Sequence, residues 1–471
     1  MNLTVSNKEK TMKKKFTKKE IEKSINEFIE KLSTFFNKEI IEDVARDSNF
    51  VERESKLTGH LFLSVFTFGM TIYGNPSLED LIGLLHLVKP KLKYTREALH
   101  QRIDEDAVKF FEEMLSLELK LVIPKSFDLE ILSFFKRVLI QDSTSFELPE
   151  KLSNFFKGCG GSASEAGIKI QFFYDLKSSH FLYQIQDGVS PDNKYENSFI
   201  AHIEKDDLVI RDLGYSNSKV FVEIALNLAF YLSRCKSDLP LYEKDEQGEY
   251  VKIDLVDKIK NIKNRLVEIE VYLRKDKTFA ATRLVIERVP DSVKNSRLRR
   301  INKYNKKKGY KTSKRTKILQ CFNLYISNAP EKALDKKHFR ILYAVRWQIE
   351  LVFKNWKSNF ALDKITCKKV ERVKCMIYAK LLFIFISGKF IFMSKSYLWR
   401  KSKKEISEFR ATKYIKAIAQ EWLKLIFQKP KTLNEFLKDA FNFIIDHHYK
   451  IKQKDRILPL ELIEQIENNL I

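Results

Sequence analysis

Apolar residues recur at three- and four-residue steps through Ile21 to Phe36, Leu61 to Ile72 and Phe110 to Val122, the period of helices that bury one face. The pattern then changes. Val138 to Asp142 is a short apolar run that ends in a carboxylate, and Ile168 to Leu176 and Phe181 to Gln186 flank the turn Lys177-Ser178-Ser179-His180 as a hairpin. Leu208 to Asp212 is a third run, again closed by aspartate, before an amphipathic helix over Ser218 to Leu228 and a strand over Ala229 to Arg234. Two buried strands are thus expected to end in Asp. Tyr250 to Val256, Leu266 to Arg274 and Ala280 to Val289 read as strands of an insertion, Cys321 to Ala329 as a return to the sheet, and the chain from Glu331 onward as helical, with Ile406 to Phe427 and Leu433 to His447 last.

These patterns predict an α/β protein: a helical N-terminal region (1–135), a core (136–235), a β-rich basic insertion (236–317), the second part of the core (318–395) and a helical C-terminal region (396–471). In the first region, Ser77 precedes Asp80 at capping-box spacing, and a second short helix begins near Thr95. The pair is either a helix-turn-helix whose second helix, carrying Arg96 and Arg102, enters a DNA groove, or a helical hairpin with its charges in water.

Composition narrows the function. The 471 residues hold 86 Lys and Arg against 62 Asp and Glu, a formal charge of +24, which argues for a polyanionic partner, nucleic acid first. Between Ser292 and Pro330 there is no acid, while cations are dense, among them Arg299, Arg300, Lys306 and Lys307. So many like charges repel one another unless an anion lies against them, so phosphate contact is preferred to a merely solvated run. The polar, lysine-rich start lacks a secretory layout, and five scattered cysteines fit a reducing compartment, so a bacterial cytoplasmic location is expected. Met376 to Met393 is apolar but contains Lys380 and Lys389, and reads as a buried helix rather than a membrane span.

The segment Tyr343 to Lys357 carries the chemistry. At about 100° per residue, Tyr343, Arg346, Glu350 and Lys357 share roughly a 60° arc, while Val345, Ile349, Val352, Phe353 and Trp356 fill the neighbouring one. Alone, Glu350 could simply pair with Arg346 and Lys354 at four-residue spacing. Together with the strand-end Asp142 and Asp212 it makes a third carboxylate. Hard divalent cations that activate phosphodiester chemistry take such ligands.

The blocks Ile140 to Thr144, Gly158 to Lys169, Val209 to Tyr215 and Tyr343 to Lys357 together resemble the DDE transposases of bacterial insertion sequences, specifically the insertion-sequence-four family. Its signature Y-x-x-R-x-x-x-E-x-x-x-x-x-x-K is matched by Tyr343, Arg346, Glu350 and Lys357. The resemblance implies a ribonuclease H-like core interrupted by a β-rich insertion, with Asp142, Asp212 and Glu350 as catalytic, metal-binding acids for two Mg²⁺, Mn²⁺ being an acceptable substitute. It implies that Tyr343, Arg346 and Lys357 bind phosphate or position the DNA end. It also implies cleavage at inverted-repeat ends of double-stranded DNA, attack by the freed 3′ hydroxyl, a hairpin in relatives that excise both strands, and a homodimer that synapses two ends. Some relatives stack a flipped base on a tryptophan in the insertion. Here the insertion has no tryptophan, which leaves Tyr304, Tyr310 or Phe322 for that task.

The glycine block at Gly158 to Ser162 lacks a following Gly-Lys-Ser/Thr, so nucleotide binding is not expected; it is either a mobile loop near the first aspartate or a plain turn. Two other readings stay open: a DNA-binding protein that has lost activity, and a structure-specific nuclease on the same fold.

Overall fold

The computed structural model describes residues 18–53, 55–120, 130–178, 180–191, 199–451 and 461. The lysine-rich leader and the last two residues of the expected helix ending at Val122 lie outside them.

Six helices come first: α1 (Lys18–Phe35), α2 (Lys38–Asp47), α3 (Gly59–Tyr73), α4 (Leu78–Val88), α5 (Arg96–Gln101) and α6 (Glu105–Leu119). The capping box forms as expected, with Ser77 and Asp80 exchanging side-chain and backbone hydrogen bonds. A short helix α7 (Glu130–Ser133) leads into the strands β1 (Val138–Leu148), β2 (Ala166–Asp175), β3 (Phe181–Asp187) and β4 (Leu208–Arg211). Helix α8 (Ser218–Leu226) and strand β5 (Phe230–Arg234) follow, then β6 (Tyr242–Lys244), β7 (Tyr250–Lys252), α9 (Leu255–Ile259), β8 (Leu266–Lys275) and β9 (Thr278–Arg288). The basic stretch folds as helices α10 (Asp291–Lys308) and α11 (Lys314–Leu319), and β10 (Phe322–Ser327) returns to the sheet. The remainder is helical: α12 (Phe339–Ala344), α13 (Trp347–Phe360), α14 (Val370–Ser402), α15 (Glu408–Ala417), α16 (Ala419–Ile426) and α17 (Pro430–His447).

All ten strands form one mixed sheet, in the order β3-β2-β1-β4-β5-β10-β9-β8-β6-β7. β1, β2 and β3 are antiparallel neighbours, β4 and β5 run parallel to β1, and β10 starts an antiparallel wing by pairing with β5. The strands expected of an insertion therefore continue the core sheet. The expected strand over Tyr250 to Val256 is cut short, because the Asp254 carboxylate accepts from the N–H groups of Val256 and Asp257 and starts a helix there.

Side chains alternate across this sheet. Val138, Ile140, Leu208 and Ile210 point into the larger core with α3, α6, α13 and α14, whereas Leu139 and Val209 point into a second core with α8 and the wing. The same alternation sends Asp142 and Asp212 toward the face that α13 covers. The apolar helix α14 is a core helix, 94% buried over its most apolar window. Its two buried lysines each have partners: Lys389 pairs with Glu118 at 2.7 Å, and Lys380 donates to the carbonyls of Ala361 and Lys364.

Candidate active site

Asp212 directly follows β4 and caps the turn Leu213–Tyr215, as expected of a strand-end acid. Asp142 does not end its strand: β1 runs on to Leu148, because each residue to that point pairs with β2. The two acids are nonetheless neighbours, since the preceding residues Gln141 and Arg211 are partners in the parallel register. A second correction concerns Tyr343 to Lys357, which is not one helix. It breaks between Ala344 and Trp347, leaving Tyr343 on α12 and Arg346 as the residue that opens α13. The apolar arc still packs inward, with Val345, Ile349, Phe353 and Trp356 buried.

At this break the polar groups meet. The Arg346 guanidinium is within ion-pair distance of all three acids: Nη1 to Asp142 Oδ2 at 3.3 Å, Nε to Asp212 Oδ1 at 3.4 Å and Nη2 to Glu350 Oε1 at 2.6 Å. The side chain of Arg346 is only 14% exposed. Tyr343 donates its hydroxyl to Asp212 at 3.1 Å, and Lys357 donates to the carbonyl of Ser145 on β1 at 3.0 Å. The surface pairing of Glu350 with Arg346 is therefore real, but it is one arm of a larger cluster.

Electrostatics separate the two aspartates. Burial pushes the Asp142 carboxyl up to about 6; the charges of Asp212 and Glu350 add to this, against the Ser143 N–H and Arg346. Asp212 is also penalised by burial, but Arg346, the N–H groups of Leu213 and Gly214 and the Tyr343 hydroxyl hold it below the usual carboxylate range. Tyr343 is raised by burial and by the adjacent Asp212, so it is a neutral donor. One guanidinium against three carboxylates leaves the cluster net negative. Its hard oxygens suit Mg²⁺, although among the described residues no three His, Cys, Asp or Glu groups already surround a common point; Arg346 lies between these three.

Beneath the acids is a polar layer that the sequence pattern did not single out. Buried Arg211 donates to Gln141 at 2.9 Å, and the Tyr215 hydroxyl donates to Gln171 at 2.6 Å. The available signal was a polar residue just before each aspartate, closing the apolar runs Val138 to Ile140 and Leu208 to Ile210.

A family profile described as "Transposase DDE domain" matches residues 133–386, which include all three acids. The chain belongs to the DDE transposase family. It is similar to the transposase for insertion sequence element IS231F of Bacillus thuringiensis subsp. israelensis, 31% identical over 89% of this chain and 90% of that protein. The transposase for IS231E of B. thuringiensis subsp. finitimus is 32% identical over 85% of this chain and 86% of its own length. The transposase for IS1151 of Clostridium perfringens is 28% identical over 91% and 94%. This family member is accordingly an enzyme that acts on DNA.

The other nominated residues lie elsewhere. Arg299, Arg300, Lys306 and Lys307 are exposed on α10, a helix with no buried residue. Arg96 pairs with Glu97 at 2.8 Å and approaches Glu79 at 3.9 Å, and Arg102 stacks over the Phe50 ring at 4.0 Å. Of the three aromatic residues considered for base stacking, Phe322 is buried, whereas Tyr304 and Tyr310 are 61% and 67% exposed.

Proposed function

We propose that this chain cuts DNA at the inverted-repeat ends of an insertion sequence and joins the freed 3′ ends to target DNA. The observation that carries the reading is the meeting of Asp142, Asp212 and Glu350, from β1, the end of β4 and α13, around one cation. The strand order β3-β2-β1-β4-β5, three antiparallel strands followed by two parallel ones, fits a ribonuclease H-like core, with 236–317 as the insertion between its two parts.

Asp142, Asp212 and Glu350 would hold two Mg²⁺ ions, which would supply charge stabilisation to the attacking and leaving oxygens. The chain's own groups have separable tasks. Tyr343 orients Asp212, Lys357 holds β1 and faces the DNA end, and Arg346 takes a backbone phosphate. The α10 cations grip the duplex away from the cut, and an exposed tyrosine of that region, Tyr304 or Tyr310, stacks on an unpaired base. Two copies act together on two ends in the bacterial cytoplasm.

The test uses purified full-length protein, a labelled transposon-end fragment and Mg²⁺. Nicked and joined products support the reading. Shifted but uncut DNA would mean a binding protein without activity, and cutting without joining would mean a nuclease.

A further inference from the structure

The position of Arg346 has a consequence beyond phosphate binding. Three carboxylates brought together from three separate elements repel one another, and an arrangement of this kind needs a positive charge at its centre to hold in the absence of bound metal. Arg346 supplies it. Its planar fork points a different nitrogen at each acid, at 3.3, 3.4 and 2.6 Å, a span that a lysine ammonium on a single point cannot match. The residue stands at the break between α12 and α13, where the chain turns rather than continuing a helical ladder, and Trp347 beside it is 55% exposed, so the cluster lies next to solvent.

We propose that Arg346 is a positioning residue, the internal counter-cation of the triad. In the DNA-free protein it gathers the three carboxylates and competes with divalent metal for the same oxygens; metal enters as the guanidinium leaves, and the freed guanidinium is then available to a phosphate of the DNA. Metal loading and DNA binding are thereby coupled through one side chain. The proposal rests on the reading that Asp142, Asp212 and Glu350 hold the metal.

The experiment titrates Mn²⁺ alone into DNA-free, full-length protein and follows binding by calorimetry or by the free-Mn²⁺ resonance signal. Arg346→Gln removes the competing charge and is expected to tighten Mn²⁺ binding about tenfold. Arg346→Lys keeps a charge that reaches fewer acids and is expected to fall between wild type and Arg346→Gln; it also serves if the glutamine variant loses its fold on circular dichroism. Asp142→Asn is expected to remove the tight site in both the wild-type and the Arg346→Gln background. If Mn²⁺ affinity is the same or weaker in both Arg346 variants while Asp142→Asn still abolishes binding, the counter-cation role is overturned and the metal-binding triad stands. If Asp142→Asn leaves Mn²⁺ binding unchanged, the triad reading falls, and this proposal with it.

Discussion

The acid cluster and helix α10 are two charge-rich regions, and they treat their charge in opposite ways. In the cluster every carboxylate has a partner within the chain: Arg346 pairs with all three, and Asp212 also accepts from Tyr343. On α10, Lys294 pairs with Asp291 and Arg297 bonds Phe322 and Asn323, but Arg299, Arg300, Lys306 and Lys307 meet no acid among the described residues. Charge that is compensated internally and partly buried keeps a fixed geometry, which chemistry needs. Uncompensated charge in water holds no fixed geometry and acts through its field on an external polyanion.

The sharpest way to break that contrast is to neutralise one region at a time. Asp142→Ala, Asp212→Ala or Glu350→Ala should reduce cleavage to the level of a metal-free control while a gel-shift assay shows DNA affinity largely kept. Cutting that survives in any of them removes that acid from the site. Changing Arg299, Arg300, Lys306 and Lys307 together to glutamine should do the reverse, weakening binding and making the slope of log affinity against log salt shallower by up to about 3 to 4, near 0.9 for each lost phosphate contact. An unchanged slope would return α10 to a solvated role.

The N-terminal arginines sharpen the comparison further, because they were nominated for DNA but are engaged within the fold. Arg102 stacks on buried Phe50, so Arg102→Ala should cost about 1 kcal/mol of stability in a denaturant melt and leave the salt slope alone. A pH-dependent effect is expected at Lys380. Burial lowers its ammonium to about 7, whereas an unfolded lysine keeps its proton to about 10.5. The unfolded chain therefore binds more protons between these values, and stability should rise as pH climbs from 7 toward 10. Lys380→Met should flatten that rise; parallel profiles for the two proteins would show that Lys380 does not titrate in this range.

Much of the scaffold was readable because it depends on near neighbours. The hairpin of β2 and β3, the Ser77 to Asp80 capping box and the inward face of α13 each follow from spacing over a few residues. Two of the readings that failed did so where a distant partner intervened. β1 passes Asp142 because β2 pairs with it to Leu148, and nothing within Val138 to Asp142 reveals that. The wing joins the core sheet through β5 and β10, a pairing between segments far apart in the chain.

By itself, then, the order of amino acids determined which residues are candidates for the chemistry: two aspartates after apolar runs, the Tyr343, Arg346, Glu350 and Lys357 spacing, and the acid-free basic stretch. Tertiary structure alone decided how they meet. The break before Trp347 turns Arg346 onto Asp142, Asp212 and Glu350 at once. That outcome depends on three elements packing on a common core, so the energies involved are long-range in sequence and short-range only in space.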